Sequence, residues 1–303
     1  MVTFTTQDMA IKWLSGDYPL HEIIFVRSVV GLTLILSVLV PLEGGYRILR
    51  TKRLALHLLR GLAVVIGNRT CVTGLASLQL GEAPAVFFVA PLFITALSVP
   101  FLGKRVGGRR WFAILLGLGG VAVMLRPGSG GFHPAFLLPL AAALAYALLQ
   151  IMTRKLGMAE KASTMAFYIQ LTFVVVSSAI GLTLGDGMLA GSGNPSLEFL
   201  LRAWVWPSTG DAMIMLAIGC MSGLAGYLIS QAYRISEAAL VAPFEYVALP
   251  LAVFWSVFLW GDWPDPISWL GIALIAGAGL YAFYRETVRG SKIVLRRPIF
   301  RNR

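Results

Sequence analysis

The chain alternates between long apolar stretches and short polar or basic connections. Many of the apolar stretches run for about twenty residues, which is the length that crosses a bilayer as an α-helix. The pattern predicts ten helical spans, at residues 2–14, 20–41, 56–76, 81–101, 109–125, 135–153, 164–184, 211–233, 238–260 and 266–284. We therefore predict an all-α integral membrane protein with ten transmembrane helices.

The first predicted span, in MVTFTTQDMAIKWL, is too short to cross a bilayer. It offers about thirteen residues where about twenty are needed. Two explanations are open: the helix is partial, or the natural start lies upstream of Met1. A cleaved signal peptide fits poorly, because the stretch has no basic leading region and no small-residue cleavage site. Asp8 and Lys12 lie four residues apart, so they share one helix face and can pair.

The composition agrees with a membrane protein. Of the 303 residues, 57% are hydrophobic and only 13% are charged, which is too little charge to cover a soluble protein of this length. A net charge of +11 would suggest nucleic acid in a soluble chain, but in a membrane protein it places cations in cytoplasmic loops, and we predict no nucleic-acid partner. Cys71 and Cys220 lie in apolar segments, which favours small buried thiols over a disulfide framework.

Lysine and arginine concentrate on alternate connections, which predicts the orientation of the chain. Most of the 25 basic residues follow the second, fourth, sixth and eighth spans or lie in the tail from about residue 285, and Arg60 is counted with the first of these groups. The connections on the opposite side hold only Arg126 and Arg202. Since cytoplasmic loops carry the excess of basic residues, both termini are predicted to be cytoplasmic.

Two stretches of the first half match two stretches of the second half. The matches are 76–93 with 231–250, 100–120 with 257–277, Glu82 and Ala83 with Glu237 and Ala238, Gly103 with Gly261, and Trp111 with Trp269. Each unit then holds five spans, and an odd number reverses the second unit, which predicts two inverted repeats at 1–125 and 126–303. This arrangement is common in secondary transporters, whose substrate binds near the midplane. The alternative is chance likeness between two apolar segments.

With these features the chain resembles the ten-helix, EamA-type members of the drug/metabolite transporter superfamily. The resemblance rests on an apolar helix, a polar turn (LGKRVGGRRW and LWGDWPDPISW) and a Gly-rich helix at the end of each repeat. The opening DMAIKWLSGDYPLHEIIFVR is also similar to the first two helices of the family. Family members often carry an acid after the glycine of the turn. Here the second repeat has Asp262, but the first has Lys104.

Within the superfamily, the opening and NRTCVTGLASLQLGEA look most similar to bacterial riboflavin transporters and their S-adenosylmethionine-carrying relatives. The resemblance implies a secondary transporter of the cell inner membrane that works by alternating access and needs no cofactor. It implies uptake of riboflavin or a similar heteroaromatic metabolite as the leading function. S-adenosylmethionine uptake and the export of amino acids or other metabolites are alternatives.

Glu245 is the only acid deep inside a full-length span, and it lies between Pro243 and Pro250. A charge in the membrane costs about 2.5–3.5 kcal/mol on insertion scales, so it usually faces a cavity or a partner. Prolines free upstream carbonyls, which is tolerated where the helix lines a cavity or packs in protein. Glu245 is therefore a candidate proton site or substrate contact, with a purely structural ion pair as the alternative.

Arg69, beside Asn68 and Thr70, is a second ion deep in a span. Its planar guanidinium would bind an anionic or carbonyl-bearing substrate. The alternative is that it snorkels, or pairs with Glu245 or Glu82. Arg27 lies in the same span as Glu22, where a structural pair is favoured.

Aromatic and amide side chains complete the candidate site. They are Tyr146 and Gln150 on the sixth span, Tyr168 on the seventh, Tyr227 and Gln231 on the eighth, and Tyr246 on the ninth. Aromatic faces with amide donors suit a planar heteroaromatic ligand. The alternative is that these residues bridge helices by hydrogen bonds.

Enzyme signatures are missing from the sequence. His21, His57 and His133 are scattered without metal-ligand spacing, and neither a Walker A sequence nor GxSxG occurs. A polytopic enzyme acting on lipid headgroups would need clustered His, Asp or Arg at one membrane face. A non-transporting scaffold would not need a deep glutamate and arginine. We therefore predict a transporter without metal or cofactor, and the oligomeric state stays open.

Overall fold

The computed structural model describes residues 1–77, 86–103, 108–125, 137–186, 202–261 and 263–290, and this part of the chain is built from helices joined by short connections. Along it we distinguish α1 (Val2–Leu14), α2 (Leu20–Glu43), α3 (Leu54–Ser77), α4 (Ala90–Leu102), α5 (Gly108–Leu125), α6 (Leu137–Leu156), α7 (Ala162–Leu184), α8 (Thr209–Ile235), α9 (238–260) and α10 (Pro266–Gly290). Nine of the ten predicted helices are confirmed to within about six residues. In the fourth predicted span, a turn at 88–89 precedes α4, which begins at Ala90, and the predicted start at residue 81 lies outside the described residues.

Length and apolarity identify the membrane-spanning part. In the described chain α2, α6, α7 and α8 are long and apolar enough to cross a bilayer. The helix α4 and the apolar parts of α5, α9 and α10 are shorter. The helix α3 has 24 residues and carries His57, Arg60 and Arg69 among its apolar residues. Because the backbone polar groups of such helices are satisfied internally, the arrangement is that of a polytopic membrane protein, as predicted.

The helix α9 is interrupted where the sequence places Glu245. An α-helical turn at Ala238–Val241 is followed by a 3₁₀ segment, Ala242–Val247, and then by an α-helix, Ala248–Trp260. Prolines that remove backbone donors favour such a change of hydrogen-bonding pattern. The predicted irregularity around Glu245 is therefore present, and it places the side chain between two helical segments.

Glycines let two pairs of helices approach closely. In α8, a Cβ added to Gly223 would lie 2.9 Å from the carbonyl oxygen of Gly31 on α2. In α5, a Cβ added to Gly120 would lie 3.0 Å from the carbonyl oxygen of Gly271 on α10. Without aqueous solvent to drive association, such small residues let backbones pack tightly, which holds α2 on α8 and α5 on α10.

Helix contacts recur in matched pairs between the first five helices and the last five. The comparison exchanges each of α1–α5 with the helix five places later in the chain. The contact α3–α6 then corresponds to α1–α8, α4–α6 to α1–α9, and α2–α8 to α3–α7, while α2–α7 and α5–α10 correspond to themselves. Gly103 and Gly261 end α4 and α9 with similar left-handed φ angles of 65° and 71°. An exchange of two equivalent halves would produce both features. The inverted repeat and its boundaries stay predictions, and Glu82, Ala83, Lys104 and Asp262 lie outside the described residues.

The two largest of four groups of buried apolar side chains lie on either side of the site. One joins α4, α5, α6, α9 and α10 through residues such as Leu92, Ile114 and Ile275. The other joins α1, α2, α7 and α8 through residues such as Ile24 and Phe173. Side chains from both groups also face a cavity that lies between them.

Candidate functional site

A cavity of about 650 Å³ runs between the two core groups. At one end it is lined by Ser15, Arg202 and Trp260, which lie near the connection between α1 and α2 and the end of α9. At the other end it reaches Arg60 on α3 and Gln150 on α6. Ligand pockets in proteins commonly have volumes of about 300–1,000 Å³, so this cavity has room for a small metabolite.

Glu245 lies in the wall of this cavity, where three helices meet. Its side chain is 4% exposed. The hydroxyl of Tyr146 on α6 donates to its Oε1 at 2.9 Å, and the hydroxyl of Tyr233 on α8 donates to the same oxygen at 2.7 Å. The two phenols stabilise a carboxyl group that is removed from bulk water.

Arg60 lies in the cavity wall at the opposite end from Arg202. It belongs to α3 and its side chain is only 1% exposed. The predicted span at 56–76, which contains Arg60, is therefore confirmed, and counting Arg60 with the basic connection after α2 was wrong. The helix α3 begins at Leu54, so Arg60 is more than one turn inside it and points between helices instead of into solvent.

Four of the predicted site residues, Asn68, Tyr146, Gln150 and Glu245, line the cavity. Five others, Arg69, Tyr168, Tyr227, Gln231 and Tyr246, are not among its lining residues in the described chain. The sequence pattern did not show how each helix is rotated, so it could not tell which polar residues face the cavity. Successive residues of a helix point in different directions, and Glu245 lines the cavity whereas Tyr246 does not. Tyr246 packs on α10, where a Cβ on Gly279 would lie 1.9 Å from its ring.

Tyr168 and Tyr227 join separate segments beyond the Arg60 end of the cavity, and Gln231 makes its contact within α8. Tyr168 donates to the Leu49 carbonyl at 2.9 Å, and Tyr227 donates to Glu43 at 3.0 Å. Gln231 accepts a hydrogen bond from Arg234 at 3.0 Å. For Tyr168 and Tyr227 the contacts match the alternative interpretation, in which polar side chains join helices, whereas the contact of Gln231 lies within α8.

Several cavity residues were missed by the sequence analysis. On α1 they are Gln7, Asp8 and Lys12. On other helices they are Arg27, Gln170, Ser222 and Ser230. Tyr233 itself was missed as a partner of Glu245. Tyr233 lies three residues after Ser230, so the two side chains share one face of α8, and this spacing could have indicated that Tyr233 lies near the cavity. The shared face predicted for Asp8 and Lys12 is confirmed, since both line the cavity.

The second arginine of the cavity wall, Arg27, lies on α2. It is 4% exposed, and its guanidinium carbon lies 5.1 Å from the centre of the Phe173 ring. Glu22, the partner suggested by sequence, accepts a hydrogen bond from the backbone of Val205 at 3.1 Å. Arg27 therefore adds positive charge beside an aromatic face in the cavity.

Among the described residues, no group of three or more His, Cys, Asp and Glu side chains could hold a metal ion. The arrangement is a bundle of membrane-spanning helices around a cavity with buried charges. Buried charges in a membrane protein usually mark a route for a substrate or an ion. The fold and cavity together define the class of polytopic membrane transporters.

Comparison with known proteins gives the family. The profile of the EamA-like transporter family matches residues 1–126. A riboflavin transporter of Vibrio cholerae is 31% identical over 277 residues, covering 90% of this chain and 86% of that protein. The chain belongs to the EamA-like transporter family, within the drug/metabolite transporter superfamily, which confirms the resemblance predicted from sequence.

Other relatives are similar over comparable lengths but carry different names. An S-adenosylmethionine uptake transporter of Rickettsia prowazekii is 26% identical, covering 94% of this chain and 90% of that protein. A pseudopaline exporter of Pseudomonas aeruginosa is 24% identical, covering 91% and 90%. A solved crystal structure with 19% identity matches with a TM-score of 0.67 over 95% of this chain and 96% of that one, which supports the fold alone.

Proposed function

We propose that this chain is a secondary transporter that takes up riboflavin or a similar heteroaromatic metabolite across the cell inner membrane. The observation that carries the proposal is the cavity of about 650 Å³ inside the helix bundle. The 31% identity to the Vibrio cholerae riboflavin transporter supports this choice of substrate. A protein of this family acts by moving a small molecule, so we propose no catalytic role.

The lining of the cavity suits a planar ligand. Phe87, Phe88, Phe173 and Trp255 contribute aromatic surface, and Gln150 contributes an amide. Aromatic faces bury large apolar area against a flat ring system, while amides and hydroxyls hydrogen-bond its polar edge. These are the side-chain types expected around a riboflavin-like molecule.

Alternating access is supported by the difference between the two ends of the bundle. The cavity reaches the end that holds Ser15, Arg202 and Trp260. Beyond Arg60, hydrogen bonds join the helices: Arg154 donates to the Arg234 carbonyl at 2.8 Å, and Arg234 donates to the Glu160 carbonyl at 2.7 Å. With both termini in the cytoplasm, this would be an outward-facing state whose cytoplasmic end is closed. Rocking of two inverted halves would exchange the ends.

Uptake of S-adenosylmethionine is the second candidate. A transporter named for this substrate matches 94% of the chain at 26% identity. Asp8 and Glu245 both line the cavity, and their carboxyl groups would attract a positively charged sulfonium. The proposal of metabolite export rests only on the similarity to the pseudopaline exporter.

The experiment is uptake of radiolabelled riboflavin into riboflavin-auxotrophic cells that express the chain, with S-adenosylmethionine measured in parallel. The proposal expects accumulation of riboflavin above cells carrying an empty vector. Accumulation of S-adenosylmethionine alone would establish the second candidate. Accumulation of neither, with the protein present in the membrane, would contradict both uptake proposals.

The proposed orientation gives a separate prediction for cysteine labelling. The distribution of basic residues places positions 130 and 192 outside the cell and positions 51 and 292 inside. In a background without Cys71 and Cys220, an impermeant maleimide added to intact cells should label Gly130→Cys and Ser192→Cys only. Thr51→Cys and Lys292→Cys should react only after the membrane is opened. Labelling of position 292 in intact cells would overturn the proposed topology.

A further inference from the structure

We infer that Arg60 forms a subsite for an oxyanion of the transported molecule, a carboxylate or a phosphate, at the inner end of the cavity. The inference rests on the proposed function, because it assumes that a metabolite enters this cavity. The Arg60 subsite adds a substrate class, because it implies that at least one molecule that binds tightly in the cavity carries an anionic oxygen group. None of the sequence-based site candidates includes this residue.

Arg60 is buried among neutral partners. Its side chain is 1% exposed, although it carries a permanent charge. Its Nε donates to Thr153 Oγ1 at 3.1 Å. Its Nη1 lies 3.5 Å from His57 Nδ1 and 3.5 Å from the Met165 carbonyl oxygen. These partners are neutral, and two of the three contacts are long for hydrogen bonds.

A buried cation whose partners are neutral is an unfavourable arrangement. Removing a guanidinium from water costs free energy that hydrogen bonds to neutral groups recover only in part. A carboxylate or phosphate that entered the cavity would supply the missing charge and two parallel hydrogen bonds, since the guanidinium fork matches oxyanion geometry. Arg60 also lines the cavity, so a ligand there can reach it.

Arg60 and Glu245 lie at different levels along the cavity. One face of α6 carries Tyr146, which bonds to Glu245, and Thr153, which bonds to Arg60. Seven residues of α-helix separate these two side chains along the helix axis by about 10 Å. Gln150 lies between them on the same face and lines the cavity. The cavity therefore offers an acid and a cation at two levels, which would orient a ligand with its anionic group toward the closed end.

The other arginines of the cavity have different surroundings. Arg202 donates to the Gly16 carbonyl at the far end and belongs to the exposed part of the chain. Arg27 lies over the Phe173 ring, and the carboxyl group of Asp8 lines the same cavity. Arg60 is thus the cation best placed to meet a ligand at the closed end, and the exposed Arg53, which does not line the cavity, is a matched control.

The experiment measures binding to the purified full chain in lipid nanodiscs by titration calorimetry. It uses two ligand pairs that differ only in an oxyanion: S-adenosylmethionine with its decarboxylated form, and riboflavin 5′-phosphate with riboflavin. We expect the oxyanion member of one pair to bind at least about tenfold tighter, as typical for a charge-assisted interaction. The first pair reports a carboxylate and the second a phosphate.

Variants then assign the preference to a residue. Arg60→Gln should bring the affinity ratio of the responding pair close to one, whereas Arg53→Gln, at an exposed arginine outside the cavity, should leave it unchanged. If Arg60→Gln fails to fold, Arg60→Lys keeps the charge but loses the planar fork, and it should lower the ratio several-fold. Equal affinities within both pairs for the unsubstituted protein would overturn the inference, and so would an undiminished ratio in either Arg60 variant.

Uptake measurements separate this inference from the proposed function. Riboflavin uptake with no oxyanion preference in binding would overturn the Arg60 subsite and leave transport intact. An oxyanion preference that depends on Arg60, without uptake of any of the four ligands, would support the subsite and contradict the proposed uptake function.

Discussion

Glu245→Gln is expected to lower uptake at least about tenfold while the amount of protein in the membrane stays near normal, because an intramembrane carboxyl usually serves transport. The substitution preserves the side-chain volume and an acceptor oxygen for the hydroxyls of Tyr146 and Tyr233. It removes only the group that can carry a charge or release a proton. Initial rates of substrate uptake, divided by the amount of protein in isolated membranes, measure the effect.

The tyrosines provide the control for hydrogen bonding. Tyr233→Phe removes one donor to Glu245 and keeps the ring that packs in the core. We expect a smaller loss of uptake than in Glu245→Gln, because Tyr146 still donates to the same oxygen. A tenfold loss of uptake in Tyr233→Phe together with normal uptake in Glu245→Gln would show that transport depends on the phenol of Tyr233 and not on the carboxyl group of Glu245.

A purely structural role of Glu245 has a different signature. If Glu245 served as the counter-ion of Arg69, Glu245→Gln would leave a buried charge unpaired, at a cost of about 3–5 kcal/mol. Expression would fall, and Arg69→Gln in the same chain would partly restore it. Restoration of expression decides between the two roles, because neutralising a partner repairs a lost ion pair but not a lost proton site. Normal uptake and normal expression in Glu245→Gln would reject both.

The helices were predictable because the bilayer leaves few alternatives. A chain inside hydrocarbon must satisfy its backbone polar groups internally, so a long apolar run specifies a helix with little influence from tertiary contacts. The predicted start of α2 at Leu20 and the bounds of α9 at 238–260 agree with the structure. The interruption of α9 was predictable for the same reason, since proline removes a donor that water cannot replace in hydrocarbon.

The site was predictable only in part, because apolar helices give little information about their rotation. In a helix that is apolar on all sides, the pattern does not tell which polar residue faces a cavity. Tyr227 and Tyr233 on α8 illustrate the problem. Tyr227 donates a hydrogen bond to Glu43 at the end of α2, whereas Tyr233 donates one to Glu245 in the cavity wall. Arg60 was missed as a cavity residue for a related reason. It lies inside the predicted span at 56–76, but it was counted with the basic loop residues before it, and the pattern does not show that it faces a cavity.

The substrate was not predictable from the fold. Relatives of 24–31% identity match nearly the whole chain and are named for riboflavin, S-adenosylmethionine and pseudopaline. The same arrangement of helices therefore carries different molecules, and the side chains of the cavity must decide between them. In this chain the charged side chains that line the cavity include Glu245, Arg60 and Arg27, and we propose that their charges select the ligand.

Gly120→Leu in α5 is expected to disrupt the packing of the bundle, whereas Gly119→Leu beside it is expected to leave the protein folded. A Cβ at Gly120 would lie 2.9 Å from the Leu274 side chain and 3.0 Å from the Gly271 carbonyl oxygen, so α5 and α10 would have to separate. Overpacking of this kind costs about 1–3 kcal/mol or more. A Cβ at Gly119 meets nothing within 4 Å, and leucine there gains up to about 1 kcal/mol of helix propensity.

The effect should extend to the transport site, because α10 also supports α9. Tyr246 rests on Gly279 of α10, and its neighbour Glu245 depends on that placement of the 3₁₀ segment. We therefore expect Gly120→Leu to lower the melting temperature in detergent by several degrees and to lower uptake per folded protein. Gly119→Leu should lower neither the melting temperature nor uptake. Thermal unfolding followed by size-exclusion chromatography measures the first effect. Equal stability of the two variants would show that α5 and α10 do not pack through Gly120, and a loss confined to Gly119→Leu would place the opposite face of α5 against α10.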